Sequence, residues 1–379
     1  MRTRRSLWKW LATFALVVIV LGGASFLWTG GSTSFASITP FATTTTTSVP
    51  SASLEVVATT PPSSSTGVLP TGPFQLTFNE PIQETTMSYL HTSVAGKWSS
   101  VNPYTAEFIP AETLLPDTVL TIRSNSIAGK EPTAANGAAL ANPINLSWTS
   151  EGGSVLRLQQ VLAVLGYLPL TWTPLASQSS LSPTRQLYSP PPGTFSWRYP
   201  GTPPSLQASF QAGADDRMTQ GAMIAFERSH GIAAYSTIRP LIWPVLLSAE
   251  ASGINNPNGY SYTMVSTATP ESMTIWHDGN VVFHTLVNTG LPQTPTPNGT
   301  FFVYLRYPTQ TMRGTNINGS YYTDHGVKWV NYITGSVAIH GFIRASYGFP
   351  QSLGCIELPV PEAAIAWNLL HYGSLVNIS

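Results

Sequence analysis

Ala338-Ile-His-Gly-Phe-Ile-Arg-Ala-Ser-Tyr-Gly-Phe-Pro-Gln-Ser-Leu-Gly-Cys-Ile356 holds the only cysteine of the 379-residue chain, with His340 placed 15 positions before Cys355. A free thiol with a pKa of about 8.5 is only a few per cent thiolate at neutral pH, so a cysteine nucleophile needs a neighbouring base or cation. His340 is the nearest base in sequence. Gly354, directly before Cys355, permits a sharp turn that aims consecutive N–H groups at an incoming carbonyl oxygen, as an oxyanion hole requires. These residues point to acyl transfer. The competing reading of Cys355 is a small buried hydrophobe, since free cysteine is among the most buried residue types.

Ala338-Ile-His-Gly and Ser352-Leu-Gly-Cys-Ile-Glu-Leu-Pro together resemble the two-part signature of the L,D-transpeptidase (YkuD-like) catalytic domain. There a His-Gly or His-Ser pair precedes a Ser-x-Gly-Cys block by about this distance. The resemblance extends over roughly residues 260 to 379. It implies Cys355 as nucleophile, His340 as its base, Gly341 as the carbonyl that orients the imidazole, and the N–H groups of Gly354 and Cys355 as the oxyanion hole. Leu353 stands where the family often has His, and Glu357 where it often has Arg or Asn, so a carboxylate-binding cation is missing from its usual place. Tyr322-Thr-Asp and Trp329 fall in a segment that resembles the loop covering the donor site. Tyr322, Trp329 and Ser352 are accordingly the expected substrate-binding residues. Packing of a Tyr-rich hairpin is the alternative for Tyr322, and a hydrogen bond or turn within the nucleophile loop is the alternative for Ser352.

Outward from that stretch the chain divides by composition. Residues 272–276, 280–287, 300–305 and 337–339 are β-branched or aromatic runs, and His277-Asp-Gly-Asn is a hairpin turn. Thr294-Pro-Thr-Pro-Asn-Gly-Thr-Phe resembles a Thr-Pro-x-Gly-x-Phe stretch of the transpeptidase fold. One helix is expected from Pro361 to His371. Upstream, Leu158, Val161, Leu162 and Leu165 share one helical face between a Ser154 cap and a Gly166 stop, and a second helix is expected from Thr219 to His230, ended by Gly231. The pair resembles the halves of a peptidoglycan-binding domain. About 45 residues separate them, rich in Pro and aromatics including Trp172, Tyr188, Trp197 and Tyr199. Those aromatics read either as sugar-stacking or as packing residues. From Leu54 to Thr149, short alternating runs such as Phe74-Gln-Leu-Thr-Phe recur between turn clusters, the rhythm of a β-sandwich. They resemble bacterial Ig-like domains.

Met1-Arg-Thr-Arg-Arg-Ser-Leu-Trp-Lys-Trp is a positive n-region, and Leu11 to Trp28 carries no charge over 18 residues, enough to cross a bilayer. An anchor is expected, with a cleaved secretory signal ending near Ser34-Phe35-Ala36 as the alternative. Either implies export, and an exported lone cysteine cannot form an intramolecular disulfide. The expected organisation is thus a multidomain, mainly β chain. It comprises a signal-anchor or transmembrane segment over 1–30, a Ser/Thr-rich linker over 31–53 and an Ig-like β-sandwich over 54–150. A small helical peptidoglycan-binding-like domain with a long insertion follows over 152–252, then a β-rich catalytic domain over 258–379.

Only 9% of residues are charged, against about 25% in ordinary proteins, and the net charge is zero, so no nucleic-acid partner is implied. The seven histidines show no ligand spacing, one cysteine disfavours a structural zinc, and no phosphate or dinucleotide fingerprint appears, so neither metal nor cofactor is expected. His371 is the rival base, as in peptidases of the NlpC/P60 type where the nucleophile precedes it. A sortase arrangement would need an Arg after Cys355, and no Lys or Arg follows. By resemblance, the expected activity is formation of 3-3 cross-links between peptidoglycan stem peptides through a Cys thioester, in an exported protein tethered to the membrane. Glycan strands are a further expected partner. The alternatives are a non-catalytic wall-binding or scaffolding protein with a degenerate transpeptidase domain, or a wall-peptide cysteine carboxypeptidase.

Overall fold

Strict alternation in Phe74–Phe78 buries Phe74, Leu76 and Phe78 on one face, the behaviour of a strand with one wet side. The computed structural model describes residues 53–127, 130–175 and 181–379. The expected anchor over 1–30, and the linker apart from its last residue, lie outside the described residues. Among those described, no helix is long and apolar enough to cross a membrane.

The first region is a pair of four-stranded sheets. One runs in the order Val56–Thr60, Phe74–Phe78, Thr105–Pro110, Gly96–Asn102, and the other Thr66–Val68, Asn145–Ser150, Val119–Ser124, Leu90–Thr92. Their inner faces share Leu76, Phe108, Leu120, Ile122 and Trp148. Phe74 and Trp148 meet ring to ring at 5.2 Å, and the Trp148 indole N–H donates to the Pro61 carbonyl at 2.9 Å, so the one polar atom of that ring is satisfied inside the core.

Helix Val155–Val164 begins where the Ser154 side chain accepts the Arg157 N–H, and it ends before Gly166 at φ +80°. The next long helix is Arg217–Ser229, two residues earlier at its start than Thr219 because Asp216 Oδ1 accepts the Thr219 N–H at 2.8 Å. A third helix, Ile242–Ser252, has no clear periodicity in sequence and carries Pro244 in its first turn, where proline is tolerated. The expected long loop instead pairs two strands, Leu170–Pro174 with Gly193–Trp197, with one single-turn helix, Pro183–Gln186, between them and another, Pro204–Gln207, after them. Trp172, Tyr188, Trp197 and Tyr199 all pack against the helical core, which favours the packing reading of these rings.

That core does not stop at the helices. Tyr262, Trp276, Phe302 and Leu375 of the following β-rich region are buried in the same cluster as Leu158, Met223 and Phe226. At Gly221 and Gly373 the two regions touch backbone to backbone: a Cβ on Gly373 would lie 2.1 Å from the Gly221 carbonyl oxygen.

The β-rich region contains a five-stranded sheet, Asn280–Leu286, Ser272–His277, Ser261–Ser266, Leu375–Ile378, Gly299–Phe302, and a four-stranded one, Leu305–Thr315, Tyr321–Thr334, Val337–Gly341, Ile356–Leu358. Asp278 and Gly279, at φ +44° and +96°, form the turn expected between the first two strands. Val265, Ile275, Ile339 and Ile356 join the two sheets in one core, covered by helix Val360–Leu369. That helix starts one residue before the expected Pro361 and stops two short of His371. Tyr322 and Trp329, expected in a covering loop, belong to strand Tyr321–Thr334, half of a long antiparallel hairpin.

Candidate active site

Val337–Gly341 is a buried strand whose parallel neighbour, Ile356–Leu358, pairs Ile339 with Ile356 and His340 with Glu357. Cys355 therefore enters its strand one residue before that pairing begins. Both His340 and Cys355 line a cavity of about 830 Å³ that Tyr322, Asp324, Tyr332 and Arg344 also line. His371 does not line it.

His340 Nδ1 lies 3.3 Å from the Gly341 carbonyl oxygen. A carbonyl only accepts, so Nδ1 carries the proton and Nε2 is the basic nitrogen. Burial holds the imidazole below its ordinary pKa, partly offset by the negative charge of Glu357. Burial likewise pushes the Cys355 thiol up to about 11, opposed by a backbone hydrogen bond from Ala338. The pair is thus neutral thiol and neutral imidazole at pH 7, not a preformed ion pair. The thiol donates to the Ser336 carbonyl oxygen at 3.7 Å rather than to the imidazole.

The nucleophile loop is braced from within. Ser352, fully buried, donates from Oγ to the Cys355 carbonyl at 2.6 Å and accepts the Gly354 N–H at 3.1 Å. Thr296 Oγ1 donates to the Gly354 carbonyl at 2.9 Å and accepts the Gly290 N–H at 2.9 Å. Gly354 sits at φ +113°, a conformation that side-chain-bearing residues rarely adopt.

Two expectations change here. Ser352 is a loop clamp and not a substrate-binding residue, because its hydroxyl is spent inside the loop. The Gly354 N–H is turned into that clamp, so of the two expected oxyanion donors the one without a hydrogen bond among the described residues is the Cys355 N–H.

Trp329 is also reassigned. It takes φ +60° at an irregularity in its strand, its ring meets Trp367 at 5.7 Å, and it packs against the sheet core without lining the cavity. Tyr322 does line the cavity, half-buried, with its hydroxyl held up in pKa by burial and then by Cys355.

Arg344 carries a role that the linear pattern did not reveal. Its Nε and Nη2 grip Glu357 at 2.7 and 2.8 Å, so the acid at the departing position is neutralised by a guanidinium 13 residues upstream. Asn288 braces the same loop, accepting the Gly348 N–H at 3.0 Å and donating to the Ser346 carbonyl at 3.2 Å. Glu271, buried, is bound twice by Thr289 at 2.7 Å beneath it. Neither contact has a sequence signal, since each depends on which loops the fold brings together.

Residues 260–378 match the family model of the YkuD L,D-transpeptidase catalytic domain. This part of the chain is an L,D-transpeptidase catalytic domain, and hence the domain of an acyl-transferring enzyme. Among solved structures, the chain is similar to an L,D-transpeptidase from Mycobacterium smegmatis, at 14% identity over 86% of this chain and 100% of that one, with a TM-score of 0.28. It is also similar to L,D-transpeptidase 3 from Mycobacterium tuberculosis, at 12% identity over 86% and 98%, TM-score 0.29. The catalytic domain of the E. faecium L,D-transpeptidase is 28% identical over 31% of this chain and 96% of that one, TM-score 0.29. No curated protein matches the sequence.

Proposed function

We propose that the protein is a peptidoglycan L,D-transpeptidase that forms 3-3 cross-links through a thioester on Cys355. The observation that carries this reading is the placement of His340 on one strand and of Cys355 directly before its parallel neighbour, both lining one cavity, with Nδ1 of His340 turned to the Gly341 carbonyl. A donor stem peptide enters with the amide between residue 3 and the D-Ala at residue 4 over the thiol. The Cys355 proton passes to His340 Nε2 as sulfur attacks the carbonyl carbon. The oxyanion is met by the Cys355 N–H. His340 returns the proton to the departing D-Ala amine, leaving the thioester. The side-chain amine of residue 3 on a second stem then attacks, losing a proton to His340, and the proton goes back to the leaving sulfur. Acid-base catalysis of this kind supplies about 10²- to 10⁴-fold.

The neutral dyad fits a thiol that is activated only when substrate displaces its Ser336 contact. We assign the protein to the cell envelope, exported and tethered by residues 1–30. The sandwich is assigned to spacing, and the helical region, as a peptidoglycan-binding-like module, to contact with glycan strands. Intact-mass measurement after exposure to a carbapenem, followed by a tetrapeptide donor with an amine acceptor, tests the reading. A covalent adduct on Cys355 together with cross-linked product is expected. No adduct would favour the degenerate, scaffolding alternative, and release of D-Ala without cross-linked product would favour the carboxypeptidase.

A further inference from the structure

Gly354 and Cys355 share one peptide unit, so the carbonyl of the first and the N–H of the second move as one plane. The bond between them is trans, and in a planar trans unit C=O and N–H point in opposite directions. Whatever holds the Gly354 carbonyl therefore sets the aim of the Cys355 N–H. That holder is Thr296, whose Oγ1 donates to the Gly354 carbonyl at 2.9 Å. The same oxygen accepts the Gly290 N–H at 2.9 Å, which turns its single hydrogen toward the carbonyl. Ser352 does not control this plane. It holds the Gly354 N–H and the Cys355 carbonyl, which belong to the peptide units on either side.

Backbone packing brings Thr296 to this place. Gly290 pairs with Ser352 as a parallel bridge, and the Leu291 N–H donates to the Ser352 carbonyl at 2.9 Å, so the chain at 289–291 lies along the nucleophile loop. A Cβ on Gly290 would fall 2.1 Å from the Thr294 carbonyl oxygen, 2.7 Å from the Thr296 nitrogen and 2.9 Å from Gly354 Cα. Only glycine permits so close an approach. The residue before it, Thr289, is fixed by its two bonds to the buried Glu271 carboxylate. Thr296 is 7% exposed and does not line the catalytic cavity, whereas Leu291, Leu353 and Cys355 do. The Gly354 carbonyl is thus turned away from the cavity into the protein, and the Cys355 N–H, on the opposite edge of the plane, is turned toward it.

Resting on the transpeptidase reading, we infer that Thr296 is the positioning residue of the oxyanion hole, aiming the Cys355 N–H through the Gly354 carbonyl at the carbonyl oxygen of the bound donor. Thr296 itself never touches substrate. Its bond also polarises the amide, and in a chain of hydrogen bonds each one strengthens the next by about 10–30%. Negative charge develops on the substrate oxygen twice, when the thiol attacks the donor and when the amine attacks the thioester. Loss of aim should slow both steps and leave ground-state binding alone.

The test uses the full chain. Thr296→Val keeps the branched shape and deletes the hydroxyl. Single-turnover acylation at saturating tetrapeptide donor should fall about ten-fold or more, with the half-saturating donor concentration changed by no more than about two-fold. Capture of the acyl-enzyme by an amine acceptor should slow by a similar factor. Thr296→Ser, which keeps the hydroxyl, should acylate within about three-fold of wild type. Iodoacetamide separates aim from collapse of the loop: alkylation generates no oxyanion, so it should label Cys355 equally fast in wild type and in Thr296→Val. Thr296→Ala reads the same losses should the valine methyl not fit the loop. Wild-type acylation without the hydroxyl, a serine variant as slow as the valine one, or an equal loss of iodoacetamide labelling would each overturn the assignment of Thr296 while leaving the transpeptidase reading in place. Failure of the wild-type chain to form an acyl-enzyme would instead remove the reading beneath it.

Discussion

His340 and Glu357 stand opposite each other on parallel strands, and the Glu357 carboxylate is gripped by Arg344, which belongs to the loop joining the two halves of the site. One ion pair thereby links the base, the nucleophile's strand and the intervening loop. Breaking it strands a buried acid beside the imidazole. With Glu357 6% exposed and Arg344 29%, Arg344→Met should cost about 2 kcal/mol, less than a fully buried pair because the guanidinium is partly wet. Arg344→Met with Glu357→Leu should regain most of that loss, since removing both charges leaves no orphan. Denaturant unfolding of the three proteins checks this; a double variant as unstable as the single one would show that packing, not charge, dominates.

Cys355→Ala is expected to abolish acylation while leaving the unfolding midpoint within a few degrees of wild type, because the thiol is half-buried at a cavity and contributes little packing. Residual transfer near the wild-type rate in this variant would remove Cys355 as nucleophile.

Acylation should depend on pH in a manner set by the neutral dyad. Protonating His340 removes the base, and its pKa lies below the ordinary imidazole value of about 6.5, so the acid limb of kcat/KM should fall below that pH. No gain should appear on the alkaline side until the thiol range near about 11. His340→Gln should lower single-turnover acylation by a factor on the order of 10² or more and erase the acid limb. A profile that rises through pH 8 to 9 would mean that the thiol titrates near its free value.

His371 answers to stability instead. Its pKa is lowered to about 4 by burial, then by Arg306 and His277, so the folded protein binds this proton less readily than the unfolded chain. Stability from this group is full above about pH 6.5 and is lost as pH falls toward about 4. His371→Gln should flatten the unfolding midpoint across that window and leave acylation near wild type. Loss of acylation in His371→Gln, with His340→Gln active, would reverse the assignment of the base.

Ser352→Ala tests the clamp. The variant leaves the Gly354 N–H and the Cys355 carbonyl without their partner in a fully buried site, a cost of about 1–3 kcal/mol. Since the same loop aims the Cys355 N–H, single-turnover acylation should drop about ten-fold or more. Normal acylation with reduced stability would confine Ser352 to a folding role.

How far these features could be read in advance depends on how local they are. The strand at Phe74–Phe78, the Ser154 cap and the Asp278-Gly279 turn are each written within a few neighbouring residues, and the structure has them where they were expected. Ile242–Ser252 escaped because Val245 and Leu247, beside the buried stripe of Ile242, Trp243, Leu246 and Ala249, blur its period, and Pro244 reads as a breaker. Trp329 was misplaced because an aromatic in a Tyr-rich strand reads the same whether it faces a ligand or Trp367. Ser352 bonds residues two and three positions on, the local alternative its turn context offered, whereas Arg344 and Asn288 act through partners chosen by tertiary folding, and no spacing rule states who those partners will be.

The boundary near residue 258, plain in composition, is not a seam. Cutting there would lay bare Tyr262, Trp276, Phe302 and Leu375, which rest on the helical layer, and would forfeit on the order of 6–10 kcal/mol of apolar burial against a typical total stability of about 5–15. A fragment starting at Tyr260 should therefore aggregate or fail to accumulate. The smallest piece that folds by itself should begin near Ser154, so the helical layer travels with the catalytic sheets as one inheritable unit and not as an interchangeable appendage.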